Sequence, residues 1–191
     1  MSMRGFIWVL VALIGAGILF FNARMQFNSA KNEPVEHHIK DAHIKVVSPQ
    51  LDKKTINEES IKETQKDSIH EVAVYGVFYK KAEYSLVYTY YKKDFNLESV
   101  IQAVIEIFKD KSFEYEILES EEKDRIRLSG NFEINGRRFG TEVLLIKQKL
   151  RCWQFLAVYP EETKNKEYAL NYVNSVLIDE EIEDVAAVKN K

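Results

Sequence analysis

The sequence predicts an α+β fold, a two-layer sandwich in which an antiparallel sheet of about six strands carries two helices on one face. Two patterns predict it. Six segments between residues 72 and 159 have the pattern of strands: some alternate apolar and polar residues with a period of two, and others are apolar on both faces. Apolar residues at helical spacing follow the second and the sixth of these segments. The resulting order, ββ-α-ββββ-α, is typical of helices packed on an antiparallel sheet.

The composition restricts the class of protein. The 191-residue chain is 46% apolar and 30% charged, with a formal net charge of −3 and a single cysteine. One cysteine excludes an internal disulfide framework and a multi-cysteine zinc site. The small net charge gives no basic surface for nucleic acid, so nucleic acid is not an expected partner.

An apolar segment at the N-terminus, residues 5–23, contains no charged side chain and lies between Arg4 and Arg24. About 20 apolar residues span the hydrocarbon core of a bilayer, so the segment predicts a transmembrane helix in contact with lipid. Phe21 lies at position −3 for cleavage after Ala23, which favours an uncleaved signal-anchor. A very short N-terminal tail favours export of the long C-terminal part. We therefore expect a single-pass membrane protein with an extracytoplasmic, periplasmic domain.

Small residues lie close together within this segment: Ala12, Gly15, Ala16 and Gly17. Small residues permit close contact between two membrane helices, so the segment could form a homodimer. They are also common in membrane helices that do not associate, which leaves the monomer as the alternative.

Residues 24–70 are predicted to form a polar, flexible tether. No aromatic residue occurs between Asn28 and His70, whereas residues 71–191 contain 18 of the 23 aromatic residues. The region from residue 22 to residue 70 mixes eight basic and eight acidic side chains. Such a composition buries too little apolar surface to offset the entropy lost on ordering. A flexible chain of this length has a mean reach of about 40 Å.

The globular domain is predicted to span residues 71–179, and a polar tail to follow over residues 180–191. Its first two strands, residues 72–79 and 84–91, are separated by a polar turn at 80–83. The predicted membrane anchor, residues 1–23, and the tether precede the domain in the chain.

The first helix is predicted to begin after Asn96, whose side chain can accept a hydrogen bond from an early backbone amide. Apolar residues at spacings of four, three, one and three form one face of this helix. They are Leu97, Ile101, Val104, Ile105 and Phe108.

Four strands are predicted next, and a second helix begins near Thr163. The strands cover residues 113–117, 126–134, 138–146 and 150–159. Asn135 and Gly136 predict a hairpin, because both tolerate positive φ. The last strand is apolar on both faces, which is typical of a central strand. The helix places a final apolar set on one face: Tyr168, Ala169, Tyr172, Val173 and Val176.

Three parts of the sequence carry a resemblance to a known fold. They are an aromatic strand leading into a capped helix, Ser85–Tyr90 and Asn96–Val100, the hairpin Phe132–Arg137, and a strand ending in proline before the last helix, Val158–Pro160 and Asn174–Ile178. Together they resemble the PsbP-like fold, which includes envelope proteins of the DcrB kind. The resemblance implies an α+β domain over about residues 72–178 that acts in binding, assembly or stability. It implies no catalytic residue.

Sequence motifs of catalysis are missing from the chain. It contains no glycine-rich phosphate loop, no Gly-x-Ser-x-Gly elbow and no His-Glu-x-x-His helix. No histidine follows His70, so the commonest general base is missing from the predicted domain. Cys152 is expected to be a buried structural thiol beside Trp153. The sequence thus predicts no enzyme, no cofactor and no metal site.

Arginine and tryptophan side chains on neighbouring strands form the predicted partner-binding set. They are Arg125, Arg127, Arg137, Arg138, Arg151 and Trp153. On an open sheet face these residue types favour a protein partner, since they dominate binding hot spots. The alternative is that arginines pair across strands with Glu133 or Glu142 and keep the face soluble.

The expected function is therefore that of a non-enzymatic, membrane-anchored binding or assembly module in a cell-envelope complex. One alternative is a small-ligand carrier that uses a cleft between sheet and helices. Another is an NTF2-like inner-membrane component of a secretion system, although such domains normally open with helices and two strands come first here.

Overall fold

A computed structural model describes residues 28–54, 68–118, 124–161 and 164–179. Within these ranges the chain forms ten β-strands and two α-helices. In chain order they are β1 (Val35–Ile39), β2 (Ile44–Ser48), β3 (Asp52–Lys54), β4 (Ile69–Tyr79), β5 (Ala82–Tyr91), α1 (Leu97–Phe108), β6 (Glu114–Leu118), β7 (Arg125–Ile134), β8 (Arg137–Gln148), β9 (Arg151–Pro160), α2 (Lys164–Asn174) and β10 (Leu177–Ile178).

Seven strands form the main sheet, in the order β3-β4-β5-β9-β8-β7-β6. Every neighbouring pair is antiparallel. This confirms the predicted α+β class, and the six predicted strands are β4 to β9. It also confirms the prediction that the last of them is central, since β9 pairs with both β5 and β8.

Two tight turns set the register of the long hairpins. Lys80 and Lys81 both have positive φ, at 47° and 68°, and join β4 to β5. Asn135 and Gly136 have φ of 52° and 75° and join β7 to β8. Positive φ at both central residues is the geometry that matches the twist of paired strands. The predicted Asn135–Gly136 hairpin is confirmed.

The two helices pack on opposite faces of the main sheet, so the prediction that both lie on one face is wrong. Val143 and Leu145 of β8 belong to the apolar cluster under α1. Leu144 and Ile146, the alternating residues of the same strand, belong to the cluster under α2. Successive side chains of a strand point to opposite faces. Because β8 and β9 are apolar on both faces, each face needs a covering layer.

The N-terminal strands belong to the fold, so the prediction of a flexible tether is wrong for residues 28–54. β3 pairs with the edge of β4, while β1, β2 and β10 form a second, three-stranded sheet. Ala42, Ile44 and Val46 are fully buried and belong to the cluster under α2. Ile44 and Val46 turn one face of β2 toward this cluster, and Ala42 reaches it from the short 3-10 turn before the strand. A segment without aromatic residues can therefore still supply a buried face.

The C-terminal end of the domain closes on the same small sheet. The backbone N–H of Asp179 donates to the carbonyl oxygen of His43 at 3.0 Å. The Asp179 carboxylate lies 2.8 Å from Nε2 of His38. Within the described ranges, no three histidine, cysteine or acidic side chains cluster as metal ligands do.

The predicted membrane segment, residues 5–23, lies outside the described residues, as does the predicted tail at 180–191. In the part of the chain that is described, no helix combines the length and apolar character that crossing a bilayer requires.

Candidate functional site

Two of the predicted partner-binding arginines are held by side chains within the domain. The Arg127 guanidinium lies 3.6 Å from a carboxylate oxygen of Glu142, and its Nη1 donates to Oδ1 of Asn174 at 2.8 Å. The Arg138 guanidinium lies 3.2 Å from the carboxylate of Glu161. The Arg127–Glu142 pair joins neighbouring strands and matches the alternative that the sequence leaves open, whereas Arg138 pairs with Glu161 and not with Glu133 or Glu142.

Trp153 and Arg151 are buried, so their assignment to a partner surface is wrong. Trp153 is fully buried, and its Nε1 donates a hydrogen bond of 2.6 Å to the carbonyl oxygen of Ala42. Arg151 is 4% exposed, and its guanidinium carbon lies 4.6 Å from the ring centre of Tyr90. The sequence does not reveal this for Trp153, because its hydrogen-bond partner Ala42 lies in the segment predicted as a tether.

The remaining two arginines lie apart from each other. Arg125 is half-buried at the start of β7. Arg137 is exposed at the start of β8 and points to the face opposite to that of Arg138. The fold therefore does not gather the six predicted residues into one surface.

Glu142 is fully buried between the main sheet and α2. Its Oε1 accepts hydrogen bonds from Ser129 Oγ at 2.9 Å and from the Tyr159 hydroxyl at 3.3 Å. Burial raises the pKa of the Tyr159 hydroxyl, and the Glu142 charge raises it further, so Tyr159 is a neutral donor. Since Arg127 also contacts Asn174, this polar cluster joins β7, β8 and β9 to the end of α2.

Cys152 is fully buried, which confirms the prediction of a structural thiol. Burial raises the pKa of the thiol to about 12. The thiolate is the nucleophilic form, so Cys152 is inert at neutral pH.

Glu83 on β5 lies opposite Phe78 on β4 and Val158 on β9. Burial raises the pKa of its carboxyl to about 7. Glu83 therefore gains or loses its proton near neutral pH, whereas an ordinary glutamate is fully ionised there.

An open groove of about 350 Å³ lies at the edge formed by β3 and β4. It is lined by residues 28–32, Gln50, Asp52 and Val77. The space between sheet and α2 is filled instead: the ring of Tyr172 contacts the rings of Tyr84 and Phe155 at centroid distances of 5.5 and 5.8 Å. These buried rings occupy the space that the ligand-carrier alternative requires under α2.

β6 is an edge strand with apolar side chains in contact with solvent. Among the described strands it pairs with β7 alone. Tyr115 and Ile117 are 46% and 42% exposed and point to the face that α1 covers elsewhere, since Ile117 lies opposite the core residue Leu128. Glu114 and Glu116 point to the other face. As far as the described residues go, no strand lies on the outer side of β6, so its backbone N–H and C=O groups there are available to a further strand.

The aromatic ring of Phe113 joins β6 to the core under α1. It stacks on Tyr115 at a centroid distance of 5.2 Å and lies 4.8 Å from the ring of Phe108. Gly130 makes room for it, because a Cβ there would lie 2.5 Å from the Phe113 ring. The exposed pair Tyr115–Ile117 is therefore continuous with the buried cluster.

Comparisons with known proteins show no family. No family model matches the sequence, and no curated protein does. The crystal structure of LpqN, involved in cell envelope biogenesis of Mycobacterium tuberculosis, is similar over 76% of this chain and 90% of LpqN, with 12% identity and a TM-score of 0.45. PA94 of Pseudomonas aeruginosa, a protein of unknown function, is similar over 68% of this chain and 85% of its own, with 9% identity and a TM-score of 0.34. No functional conclusion follows from either likeness, and the PsbP-like resemblance stays a prediction.

Proposed function

We propose that this chain is a non-enzymatic, membrane-anchored module whose exported domain binds a protein partner in the cell envelope. The observation that supports this most directly is the exposed pair Tyr115–Ile117 on the outer edge of the main sheet. Apolar side chains beside open backbone groups are a surface that soluble proteins usually cover or avoid. A partner that covers β6 accounts for it.

The chemistry of the buried polar groups supports a binding role over catalysis. The Cys152 thiol is neutral and enclosed by the core. The carboxylate of Glu142 is fully buried and already accepts hydrogen bonds from Ser129 and Tyr159. A nucleophile or a general base must reach its substrate, and neither group is placed to do so.

The proposed membrane anchor is the apolar segment 5–23. Because the folded domain begins near residue 28, the distance between anchor and domain is shorter than the predicted tether would allow. The backbone N–H of Phe78 on β4 donates to the carbonyl oxygen of Asn28 at 3.0 Å. Five Cα steps lead from Ala23 to Asn28, which span at most about 18 Å. The domain is therefore held next to the bilayer, and its partner is expected at or near the membrane surface.

The two alternative functions have less support. A carrier for an apolar ligand needs an open cleft, and the rings of Tyr84, Phe155 and Tyr172 fill the space under α2. An NTF2-like domain places its helices ahead of the sheet, whereas among the described elements β1 to β5 all precede α1.

Photo-crosslinking of the full chain in its native membrane tests the proposal. A photoreactive residue replaces Tyr115 in one variant and Leu177, which is 60% exposed on the small sheet, in a matched control. We expect a discrete protein adduct from position 115 and none from position 177. Absence of an adduct at position 115, or the same adducts at both positions, contradicts partner binding through β6.

The export of the domain has a separate test. Protease added from outside to cells with a permeabilised outer layer is expected to digest the domain while a cytoplasmic marker stays intact. Digestion only after the inner membrane is opened contradicts export.

A further inference from the structure

Resting on the proposed function, we propose that the partner adds a strand to the main sheet along β6, as an extended segment with basic side chains on one face and apolar side chains on the other. Strand addition to an open sheet edge is a common mode of peptide recognition, in which main-chain hydrogen bonds give affinity and alternating side chains give specificity.

The shape of the edge suits a short segment. β6 runs over five residues, Glu114–Leu118, and pairs along its whole length with Leu128 and its neighbours on β7. An antiparallel or parallel segment of about five to seven residues matches that length, at about 3.3 Å per residue. The segment must be extended, because a helix cannot satisfy the open backbone groups of a strand edge.

The apolar half of the recognition comes from the α1 side of β6. Tyr115 and Ile117 are half exposed, and the stacked ring of Phe113 holds Tyr115 in place. Aromatic and β-branched neighbours on one face of a strand pair stabilise it. The facing positions of the bound segment are therefore apolar.

The preference for basic residues in the bound segment comes from the two glutamates on the other face of β6. Glu116 is exposed and forms no ion pair with any described residue. Glu114 lies 3.9 Å from the Arg138 guanidinium, which is closer to Glu161 at 3.2 Å. Both carboxylates can therefore pair with lysine or arginine side chains on an added strand.

A second copy of this chain fits the edge poorly. In a twofold pairing of two β6 strands, each face meets the same face of its copy. Glu114 and Glu116 would then lie against the same two glutamates. Like charges opposite each other destabilise a strand pair, so the charge pattern favours a different, basic partner.

Designed peptides test the inference on the full chain in nanodiscs of zwitterionic lipid, which do not attract charged peptides. The probes are a seven-residue peptide that alternates lysine with valine, its counterpart with glutamate in place of lysine, and a scrambled basic peptide without alternation. We expect the alternating basic peptide to bind at least about tenfold more tightly than the other two. Equal binding of the basic and scrambled peptides, or no binding of either, overturns the inference.

Charge reversal at the edge provides the matched variant. Glu114→Lys with Glu116→Lys is expected to weaken the basic peptide about tenfold and to strengthen the acidic one. The control, Glu36→Lys with Glu167→Lys, makes the same change of net charge at exposed positions on β1 and α2 and should leave both affinities unchanged. If both double variants changed the peptide affinities equally, the net charge of the domain would account for the binding, and strand addition would be overturned.

Two further outcomes separate this inference from the proposed function. If the Tyr115 position still crosslinks to a protein in membranes but no alternating peptide binds, the partner uses another mode and this inference is wrong. Self-association of the chain in sedimentation, lost on Ile117→Lys, identifies a second copy as the occupant and also overturns it. Thermal unfolding of each variant confirms that the domain still folds.

Discussion

The indole Nε1 of Trp153 donates a hydrogen bond of 2.6 Å to the backbone carbonyl oxygen of Ala42, 111 positions earlier in the chain. Both residues are fully buried. The bond joins the centre of the main sheet to a segment whose polar composition predicts a tether. The N-terminal strands are therefore a layer of the domain.

Removal of this layer should prevent stable folding. A fragment that begins at residue 68 lacks Ala42, Ile44 and Val46, all fully buried. Burying one large aliphatic side chain contributes about 1.5–3 kcal/mol, so the loss is comparable to the whole stability of many domains. Urea unfolding should show a cooperative transition for residues 28–191 and none, or a much earlier one, for residues 68–191. Equal stability of the two fragments would show that the N-terminal strands are dispensable.

The Trp153→Phe variant isolates the hydrogen bond in the intact domain. It should lower the free energy of unfolding by about 1–3 kcal/mol, since it removes the donor and part of the ring. Urea unfolding of the variant and the unchanged domain measures the difference. A variant as stable as the unchanged domain would mean that the bond to Ala42 contributes nothing.

Glu83 should make stability depend on pH near neutrality. Its pKa is about 7 in the folded domain and near the ordinary value of 4.5 in the unfolded chain. The unfolded chain releases this proton first as pH rises, so the contribution of Glu83 to stability is fully present below about pH 4.5 and is lost as pH rises to about 7.

The Glu83→Gln variant tests this pH dependence. It should remove that slope and raise the free energy of unfolding at pH 8 by about 1–3 kcal/mol. The measurement is urea unfolding between about pH 5 and pH 8, with Glu116→Gln as the exposed control. An unchanged slope in Glu83→Gln contradicts the assignment.

The free energy of unfolding lost on replacing Arg127 should depend on whether Glu142 is present. Removing the guanidinium leaves a fully buried carboxylate without its cation. Arg127→Leu is expected to lower the free energy of unfolding by about 3 kcal/mol, but only by about 1 kcal/mol when Glu142→Gln is already present. Chemical unfolding of the unchanged domain, the two single variants and the double variant gives the coupling free energy between the two side chains. Equal effects in both backgrounds would mean that the pair is not coupled.

Gly130 should control the position of β6. A Cβ at this residue would lie 2.5 Å from the Phe113 ring and 2.9 Å from the carbonyl oxygen of Glu114. Gly130→Ala should therefore displace β6, destabilise the domain by about 2 kcal/mol and accelerate amide exchange over residues 114–118.

Gly136→Ala is the matched control for this substitution. Gly136 has φ of 75°, and a methyl group added there would have no described atom within 4 Å, so only backbone strain of about 1 kcal/mol is expected. Exchange at β6 should stay unchanged in this variant. If both variants accelerate exchange at β6 equally, the close approach of Phe113 is not the cause.

Local patterns in the sequence predict much of the main sheet and its helices. Asn96 caps α1 as predicted, because its Oδ1 accepts a hydrogen bond from the Glu98 backbone at 2.8 Å. Positive φ at Asn135 and Gly136 gives the predicted hairpin. These features depend on residues that are neighbours in the chain, so they can be predicted from one sequence.

Features that depend on strand order are harder to predict. Apolar residues on both faces of β8, such as Val143 and Leu144, indicate that both faces need cover, but not which helix covers which face. The alternation of Ala42, Ile44 and Val46 is the available signal for the N-terminal layer.

The candidate site depends on the same long-range information. Trp153 and Arg151 are types that often bind partners, yet both are buried in the fold. The alternation of Tyr115 and Ile117 with glutamates predicts a strand at β6. Its place at the end of the sheet follows only from the pairing order of all seven strands.

Residue-resolved amide exchange of the full chain in nanodiscs, with and without the alternating lysine–valine peptide, tests the central claim most directly. If the partner segment adds to β6, alternate amides within Glu114–Leu118 gain protection on peptide binding, while those of β3 at the opposite edge do not change. Protection at β3, or a uniform response across the domain, would contradict the account.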